Sequence, residues 1–167
     1  MPVAVALLIA ACGSSSKKTA STAAASTGSA ASNNPYSSGS SSSGTTQAAL
    51  ISTKHDKKLG TILAFGPKHL TVYLFEGDKG QSSSCTGACA SVWPPVTGKP
   101  QASGAAMSAD LGTLKRSDGT TQVTYKGHPL YLYVKDKDDG DAYGEALKQF
   151  GAEWYALKSS GEKVDLS

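Results

Sequence analysis

The sequence has few of the groups on which recognisable catalytic and nucleic-acid-binding sites depend. Its 167 residues include only three cysteines and three histidines, and charged residues make up 17%. It contains no nucleophile elbow, zinc-protease motif or phosphate-binding loop. It also has no basic run that alternates with aromatic residues, as a groove for single strands requires. We therefore expect a protein that is not an enzyme, has no catalytic residue, cofactor or metal, and binds no nucleic acid.

Acidic residues are missing from the first part of the chain. No Asp or Glu precedes residue 50, and residues 13–46 are almost entirely Ser, Ala, Gly, Thr and Asn. Such a segment buries too little apolar surface to offset the entropy lost on ordering, so a disordered linker is predicted. Two of the 16 basic residues, Lys17 and Lys18, lie there, which leaves 14 basic against 13 acidic residues. A nearly neutral domain argues against binding to nucleic acid driven by charge.

A long hydrophobic run is absent as well. The apolar stretch 3–11 is too short to cross about 30 Å of hydrocarbon as a helix. It ends in small residues before Cys12, as in the signal peptide of a lipoprotein. We predict a signal peptide over residues 1–11, lipidation (palmitate) at Cys12, a linker over 12–50 and a β-rich domain over 51–167. No basic residue precedes Ala11, which leaves open a start upstream of Met1.

The domain is rich in β-branched and aromatic runs that are separated by glycine and proline turns. Residues 61–65 and 70–75 flank a Gly-Pro turn, which predicts a hairpin. Two further hairpins are predicted over residues 122–134 and 154–166, while only residues 142–150 favour a helix. The expected fold is mostly β, a compact domain of two hairpin-based repeats with one short helix.

An internal repeat runs through this domain, at about residues 59–97 and 111–158. Each copy shows Gly-Thr (Gly60-Thr61 and Gly112-Thr113), a hairpin, the motif Tyr-x-aromatic-x-x-Asp, a loop and Trp. Residues two apart on a strand share a face, so the motif aromatics are expected to pack in the core, and each Asp to fix the following loop. The motif residues are Tyr73, Phe75, Asp78 and Trp93 in the first copy and Tyr131, Tyr133, Asp136 and Trp154 in the second.

The residues that carry this pattern resemble a known family. The doubled motif, residues 85–95 (CTGACASVWPP) and residues 116–131 (RSDGTTQVTYKGHPLY) are similar to the secreted-repeat lipoproteins of the bacterial envelope. The similarity covers about residues 59–158. It implies a lipid-anchored envelope protein built from this repeat. It implies no activity, because the family is described as being of unknown function.

Two cysteines remain after Cys12, and they allow more than one interpretation. Cys85 and Cys89 lie four residues apart, which in a helical turn places their Cα atoms within disulfide range. A structural disulfide is the first hypothesis, since an extracytoplasmic compartment is oxidising. A redox pair or a soft-metal site is the alternative, but the spacing is not that of a redox motif and no ligand lies at a suitable spacing.

Two other features are open to a functional interpretation. The run 136–141 holds four carboxylates, which favours either a Ca²⁺ site or a solvated turn in which Asp141 caps a helix. His128 follows a tight turn and is expected at the surface. The first functional hypothesis is a non-enzymatic envelope module that binds an unknown envelope protein or ligand. The second is metal or redox handling through Cys85 and Cys89, with His128 or the acidic run, and a third, weaker one is hydrolysis of wall polymer.

Overall fold

The structure is a computed structural model that describes residues 47–166, in which ten short strands form three sheets. The predicted signal peptide, Cys12 and most of the predicted linker lie outside the described residues. Within the described range, no helix is long and apolar enough to cross a membrane. The elements are β1 (Ala48–Asp56), β2 (Gly60–Phe65), β3 (Leu70–Thr71), β4 (Tyr73–Phe75), α1 (Ala88–Val92), β5 (Lys99–Ala102), a 3₁₀ turn (Ser108–Asp110), β6 (Leu111–Lys115), β7 (Thr121–Tyr125), β8 (His128–Pro129), β9 (Leu147–Gln149) and β10 (Ala152–Ala156).

The sheets bury two adjoining hydrophobic clusters. The first sheet has the order β3-β2-β1-β5, the second β4-β10-β9 and the third β6-β7-β8. One cluster surrounds the motif aromatics, and the other gathers aliphatic residues of β1, β2 and β7. Both clusters contain residues from the two repeats. The structure therefore confirms a mostly β domain with one short α-helix in its described part.

The first strand, β1, begins at Ala48, slightly before the expected start of the domain at residue 51. Ala49 and Ile51 are fully buried. β1 lies between β2, with which it pairs antiparallel, and β5, with which it pairs parallel. Ala48 and Ala49 resemble the linker in composition, but they belong to a strand that is buried by its two neighbouring strands. β5 contains Pro100, which is tolerated because β5 is an edge strand.

The helix expected at residues 142–150 is also wrong. This segment consists of turns followed by β9, and Gly144 is buried against the rings of the core. Ala146 and Phe150 adopt positive φ angles of 53° and 55°, which a helix does not allow. Asp141 consequently caps no helix. The helix of the described chain is α1, which carries Cys89.

The three expected hairpins are present in shortened form. β2 pairs with β3 through Ala64 and Thr71, but the chain then leaves this sheet at Val72, and β4 pairs with β10. β7 pairs with β8, as expected, and also with β6. The third hairpin is limited to a bridge between Leu157 and Lys163. The expected strands were too long because each repeat divides its strands between two sheets.

Equivalent backbone hydrogen bonds relate the two repeats. The amide of Val72 donates to the carbonyl of Leu63, and that of Leu130 donates to the carbonyl of Val123. Leu63 therefore corresponds to Val123. Because β2 pairs with β1 as β7 pairs with β6, β1 corresponds to β6 and β2 to β7.

The expected equivalence of Gly60-Thr61 with Gly112-Thr113 is therefore wrong. Gly60 and Thr61 lie on β2, whereas Gly112 and Thr113 lie on β6, the counterpart of β1. The two Gly-Thr pairs resemble each other in sequence but occupy opposite strands of their hairpins.

Replacement of Ile51 tests whether β1 belongs to the core. Ile51→Ala removes a fully buried side chain and is expected to lower the free energy of unfolding by about 2–5 kcal/mol. His55→Ala, at an exposed position of the same strand, is the matched control and is expected to change it by less than about 0.5 kcal/mol. Chemical denaturation followed by circular dichroism measures both. Equal stability of Ile51→Ala and the wild type would contradict the assignment.

Candidate functional site

The two repeats meet at their motif tyrosines. The amide of Tyr73 donates to the carbonyl of Tyr131 over 2.9 Å, and the amide of Tyr131 donates to the carbonyl of Tyr73 over 3.0 Å. Both residues have no exposed surface. This reciprocal pair lies where the two copies of the motif face each other, and we call its surroundings the motif centre.

The side chains of the motif centre are exchanged between the repeats. The Tyr73 hydroxyl donates to Oδ2 of Asp136 over 2.6 Å, and the Tyr131 hydroxyl donates to Oδ2 of Asp78 over 2.7 Å. Burial raises the pKa of both tyrosines far above the usual range, and burial also raises the pKa of Asp136. Each repeat thus supplies a tyrosine hydroxyl that donates to the aspartate of the other repeat, and an aspartate that accepts from the tyrosine of the other repeat.

Both motif aspartates also hold the loop that follows them. Oδ1 of Asp78 accepts the amide of Ser84 over 2.7 Å, and Oδ1 of Asp136 accepts the amide of Tyr143 over 3.0 Å. The two oxygens of each carboxylate therefore join one loop to the tyrosine of the other repeat.

Four aromatic rings form a continuous stack across the motif centre. The rings of Phe75 and Trp154 are 4.1 Å apart, those of Trp154 and Trp93 are 3.9 Å apart, and those of Trp93 and Tyr133 are 4.3 Å apart. Tyr73 and Tyr131 meet Trp93 and Trp154 edge-on. Each repeat contributes alternately to the stack, so neither repeat completes it alone.

Cys85 and Cys89 form a disulfide, which confirms the first hypothesis for this pair. Their Cα atoms are 5.2 Å apart, and their residues are 1% and 6% exposed. The bond closes the turn that leads into α1. A buried disulfide counts against a reactive, reduced pair.

The only arginine of the sequence binds this loop from inside, a role that the sequence analysis did not assign. The Arg116 side chain is 1% exposed, and its guanidinium donates to the carbonyl of Cys85 over 2.6 Å and to Oγ of Ser83 over 2.6 Å. It also binds Gln122 over 2.7 Å and Asp118 over 3.0 Å. No sequence motif predicts its contact with the loop, because Ser83 lies 33 residues away and the partner at Cys85 is a backbone carbonyl.

The acidic run 136–141 is occupied by a cation of the protein itself. The ammonium of Lys54, whose side chain is 3% exposed, contacts the carbonyl of Asp139 and lies 3.8 Å from its carboxylate. Burial lowers the pKa of Lys54. Asp136 points into the motif centre, and Asp141 accepts the amides of Lys137 and Asp138. Within residues 47–166, no group of three His, Cys, Asp or Glu side chains is placed to hold a metal ion.

An open cleft of about 580 Å³ lies between the β1–β2 turn and the loop that follows Asp136. Its floor contains Leu59 and Ala142, and the side chain of Tyr143, a residue that is 63% exposed, stands beside it. His128 does not contribute to this cleft; it is exposed at the start of β8 and lines a shallower depression elsewhere. The polar side chains that line it are those of His55, Asp56, Lys57, Lys58, Asp139 and Glu145.

These features define a class of protein: a β domain of two interlocked copies of the Tyr-x-aromatic-x-x-Asp repeat, joined by exchanged tyrosine–aspartate bonds. The chain belongs to the family described as a secreted repeat of unknown function, which matches residues 55–97 and 112–158. Among curated proteins and among solved structures, nothing matches this chain.

Gly144 tests the packing of the motif centre. A Cβ atom at this position would lie 2.7 Å from Cζ of Tyr73 and 2.8 Å from Cη2 of Trp93. Gly144→Ala is therefore expected to lower the free energy of unfolding by about 1–3 kcal/mol through overpacking. Gly140→Ala, in the same loop but with nothing within 4 Å of the added Cβ, is the matched control. Thermal unfolding compares the two, and equal effects would contradict the close packing.

The exchanged bonds are tested with Tyr73→Phe. The Tyr73 hydroxyl lowers the pKa of Asp136 against the raising effect of burial, so its removal is expected to raise that pKa further. Carboxyl-carbon NMR titration of Asp136 measures the change. The buried carboxylate loses a donor, which is expected to cost about 1–3 kcal/mol of stability at neutral pH.

The raised pKa of Asp136 also predicts how the loss of stability in Tyr73→Phe changes with pH. The pKa of Asp136 in the folded state lies above the ordinary value of an aspartate. The protonated form of Asp136 therefore stabilises the fold fully at pH values below the ordinary pKa, and this stabilisation is lost as the pH rises through the raised pKa. The deficit of Tyr73→Phe is therefore expected to shrink at acidic pH. Tyr155→Phe removes the same kind of bond to Glu153 at the surface and serves as the control. A pH-independent deficit, or an unchanged Asp136 pKa, would contradict the assignment.

Proposed function

We propose that the protein is a membrane-anchored bacterial envelope lipoprotein whose domain is a non-enzymatic binding module. The main support for this proposal is that the residues of the family motif bind one another inside the domain. Tyr73 and Tyr131 are fully buried, Asp136 is 3% exposed, and these groups bind one another across the repeats. The motif therefore supports a scaffold in which its own polar groups are satisfied.

The geometry of the motif centre does not favour acid–base catalysis at Asp136. Asp136 has the raised pKa that a general acid needs, but a general acid has to reach the proton-accepting atom of a substrate. Its two oxygens instead contact the Tyr73 hydroxyl and the Tyr143 amide. A substrate would have to displace both partners and enter an interior that is packed with aromatic rings.

The outer surface offers a better place for a ligand. The cleft beside Tyr143 combines an apolar floor with charged groups of both signs, which is the composition of many ligand sites. It is formed by two loops that the domain core holds in place, since Asp136 fixes one of them and β1 and β2 carry the other. The rigid scaffold and the open cleft together support a binding role.

The tether completes the proposal. Lipidation at Cys12 would attach the domain to a membrane through the segment rich in Ser, Ala, Gly and Thr that follows this cysteine. The description of the family as a secreted repeat supports a location outside the cytoplasm. A metal- or redox-handling role has less support, because the cysteine pair is closed and buried.

Anchoring is tested by replacing the acylated cysteine. Expressed in bacteria with labelled palmitate, the wild-type chain is expected to carry label and to sediment with membranes, because a thioether-linked lipid provides the anchor. Cys12→Ser is expected to lose label and enter the soluble fraction. The double variant Cys85→Ser/Cys89→Ser is the matched control and is expected to keep its label.

Two results would contradict the proposal. An unlabelled, soluble wild-type chain would remove the anchor. Saturable turnover of wall polymer by the purified protein would replace the binding module with an enzyme.

A further inference from the structure

Indole and phenol rings are readily oxidised by the loss of one electron, and four such rings are in contact in the motif centre. The indoles of Trp93 and Trp154 are stacked, with their centroids 3.9 Å apart and their planes inclined by 5°. Tyr73 meets Trp93 edge-on at 5.4 Å, and Tyr131 meets Trp154 edge-on at 5.1 Å. None of the four residues has any exposed surface. An electron therefore moves among these rings through direct contacts that exclude solvent.

The two indole N–H groups donate to acceptors that are poor bases. The N–H of Trp93 donates to Oε1 of Gln149 over 3.0 Å, and the N–H of Trp154 donates to the carbonyl of Gln149 over 3.1 Å. Both acceptors are amide oxygens, which do not take up a proton at neutral pH. An indole that loses an electron in this place therefore keeps its proton and a positive charge, and a buried charge without a partner is costly.

The phenol groups, in contrast, donate to carboxylates. The Tyr73 hydroxyl lies 2.6 Å from Oδ2 of Asp136, and the Tyr131 hydroxyl lies 2.7 Å from Oδ2 of Asp78. A tyrosine that loses an electron becomes a strong acid, so its proton crosses such a short hydrogen bond to the carboxylate. The products are a neutral tyrosyl radical and a neutral carboxylic acid. The oxygen of Tyr73 also keeps a second donor, the Gly144 amide at 3.2 Å.

Burial favours this combined loss of an electron and a proton. Before oxidation, each pair carries the negative charge of its carboxylate, and after oxidation both groups are neutral. Because desolvation penalises charge, burial raises the pKa of Asp136, which is 3% exposed. Burial and the neighbouring carboxylate also raise the pKa of Tyr73, so this phenol keeps its proton as long as it keeps its electron. Oxidation of the tyrosine thus removes a buried charge, whereas oxidation of an indole creates one.

A route from the surface to the indoles runs through Tyr133. Its ring stacks on that of Trp93 with their centroids 4.3 Å apart, and 3% of the residue is exposed. An oxidant at the surface beside Tyr133 is therefore separated from the indole pair by one ring. An electron, unlike a substrate, leaves the centre without displacing the groups that are packed there.

We propose that the motif centre is a redox site, in which an external one-electron oxidant takes an electron from the aromatic stack and Tyr73 or Tyr131 becomes a neutral radical. The oxidant is a metal complex or a radical of high potential, and it gains the electron. The O–H bond of the tyrosine breaks, and its proton forms an O–H bond with Asp136 or Asp78. The site involves neither the disulfide nor the cleft, so it goes beyond the binding function and does not depend on it.

Flash photolysis of the full chain, carrying Cys12→Ser to prevent lipidation, tests the proposal. A photo-oxidised ruthenium tris-bipyridine complex is the oxidant, and transient absorption and electron paramagnetic resonance identify the radicals. A tryptophan radical is expected to form first and to pass into a neutral tyrosyl radical. Because the proton acceptor is internal, the rate of the second step is expected to be independent of phosphate concentration and to fall in heavy water. Exposed phenols such as Tyr143 need a base from the solvent, so phosphate accelerates their oxidation.

Replacement of the proton acceptors locates the effect. In the double variant Asp78→Asn/Asp136→Asn, an oxygen remains for each loop amide, but the group opposite each tyrosine no longer takes up a proton. The yield of tyrosyl radical is expected to fall at least about tenfold, the effect of about one pKa unit in the acceptor. Glu153→Gln is the matched control, because Tyr155 donates to Glu153 over 2.7 Å outside the stack. This control is expected to change the yield by less than about twofold, as for a distant, independent site.

The proposal fails if the tryptophan radical decays without passing to a tyrosine, or if phosphate accelerates formation of the tyrosyl radical. It also fails if the double variant, shown to be folded by circular dichroism, gives the wild-type yield. The buffer and isotope measurements need no substitution in the centre, so they decide the proposal even if the double variant does not fold. Failure here leaves the proposed binding function in place, since the anchoring and turnover experiments decide that function separately.

Discussion

Each repeat contributes an aspartate whose hydroxyl donor belongs to the other repeat, and much of the domain follows from this exchange. Asp136 is buried and Asp78 is half-buried. A buried carboxylate without donors is costly, whereas a hydrogen bond to an ionised acceptor is strong. Tyr73 and Tyr131 meet this requirement crosswise, and their reciprocal backbone bonds fix the distance at which the four-ring stack closes. A single repeat would leave a carboxylate without its donor and half a stack exposed. The two copies therefore form one folding unit.

The exchange also explains why the motif has its spacing. The tyrosine and the aromatic residue two positions later point to the same side of the strand, towards the centre. The aspartate lies one turn further, where its second oxygen reaches the following loop, as for Asp136 and Tyr143. Scaffold and loop are thus joined through one carboxylate. The loop beside the cleft takes its position from the most buried part of the protein.

The sequence allows the centre to be predicted better than its surroundings. Paired aromatics and β-prone runs are local patterns, so the β class, the disulfide and the positions of the hairpins follow from nearby residues, whereas the shortening of the hairpins does not. β1 was partly missed because Ala48 and Ala49 have the composition of the linker, and their burial depends on β2 and β5. The prediction of a helix over residues 142–150 failed because the apolar spacing near Leu147 does not show that Gly144 packs against aromatic rings of the core.

Lys54 and Arg116 were beyond sequence analysis for a different reason. Lys54 binds a carbonyl 85 residues away, and Arg116 binds one 31 residues away. Any residue can supply a backbone carbonyl, so no residue type marks the partner. The register of the two ladders makes Asp56 and Arg116 counterparts, since Asp56 pairs with Gly60 and the Arg116 amide donates to the Thr120 carbonyl. Because the motif centre is closed by both repeats together, a difference at this outer position leaves the core intact. Each hairpin therefore contacts the loop that follows the motif aspartate of the other repeat through a cation of its own, Arg116 in one case and Lys54 in the other.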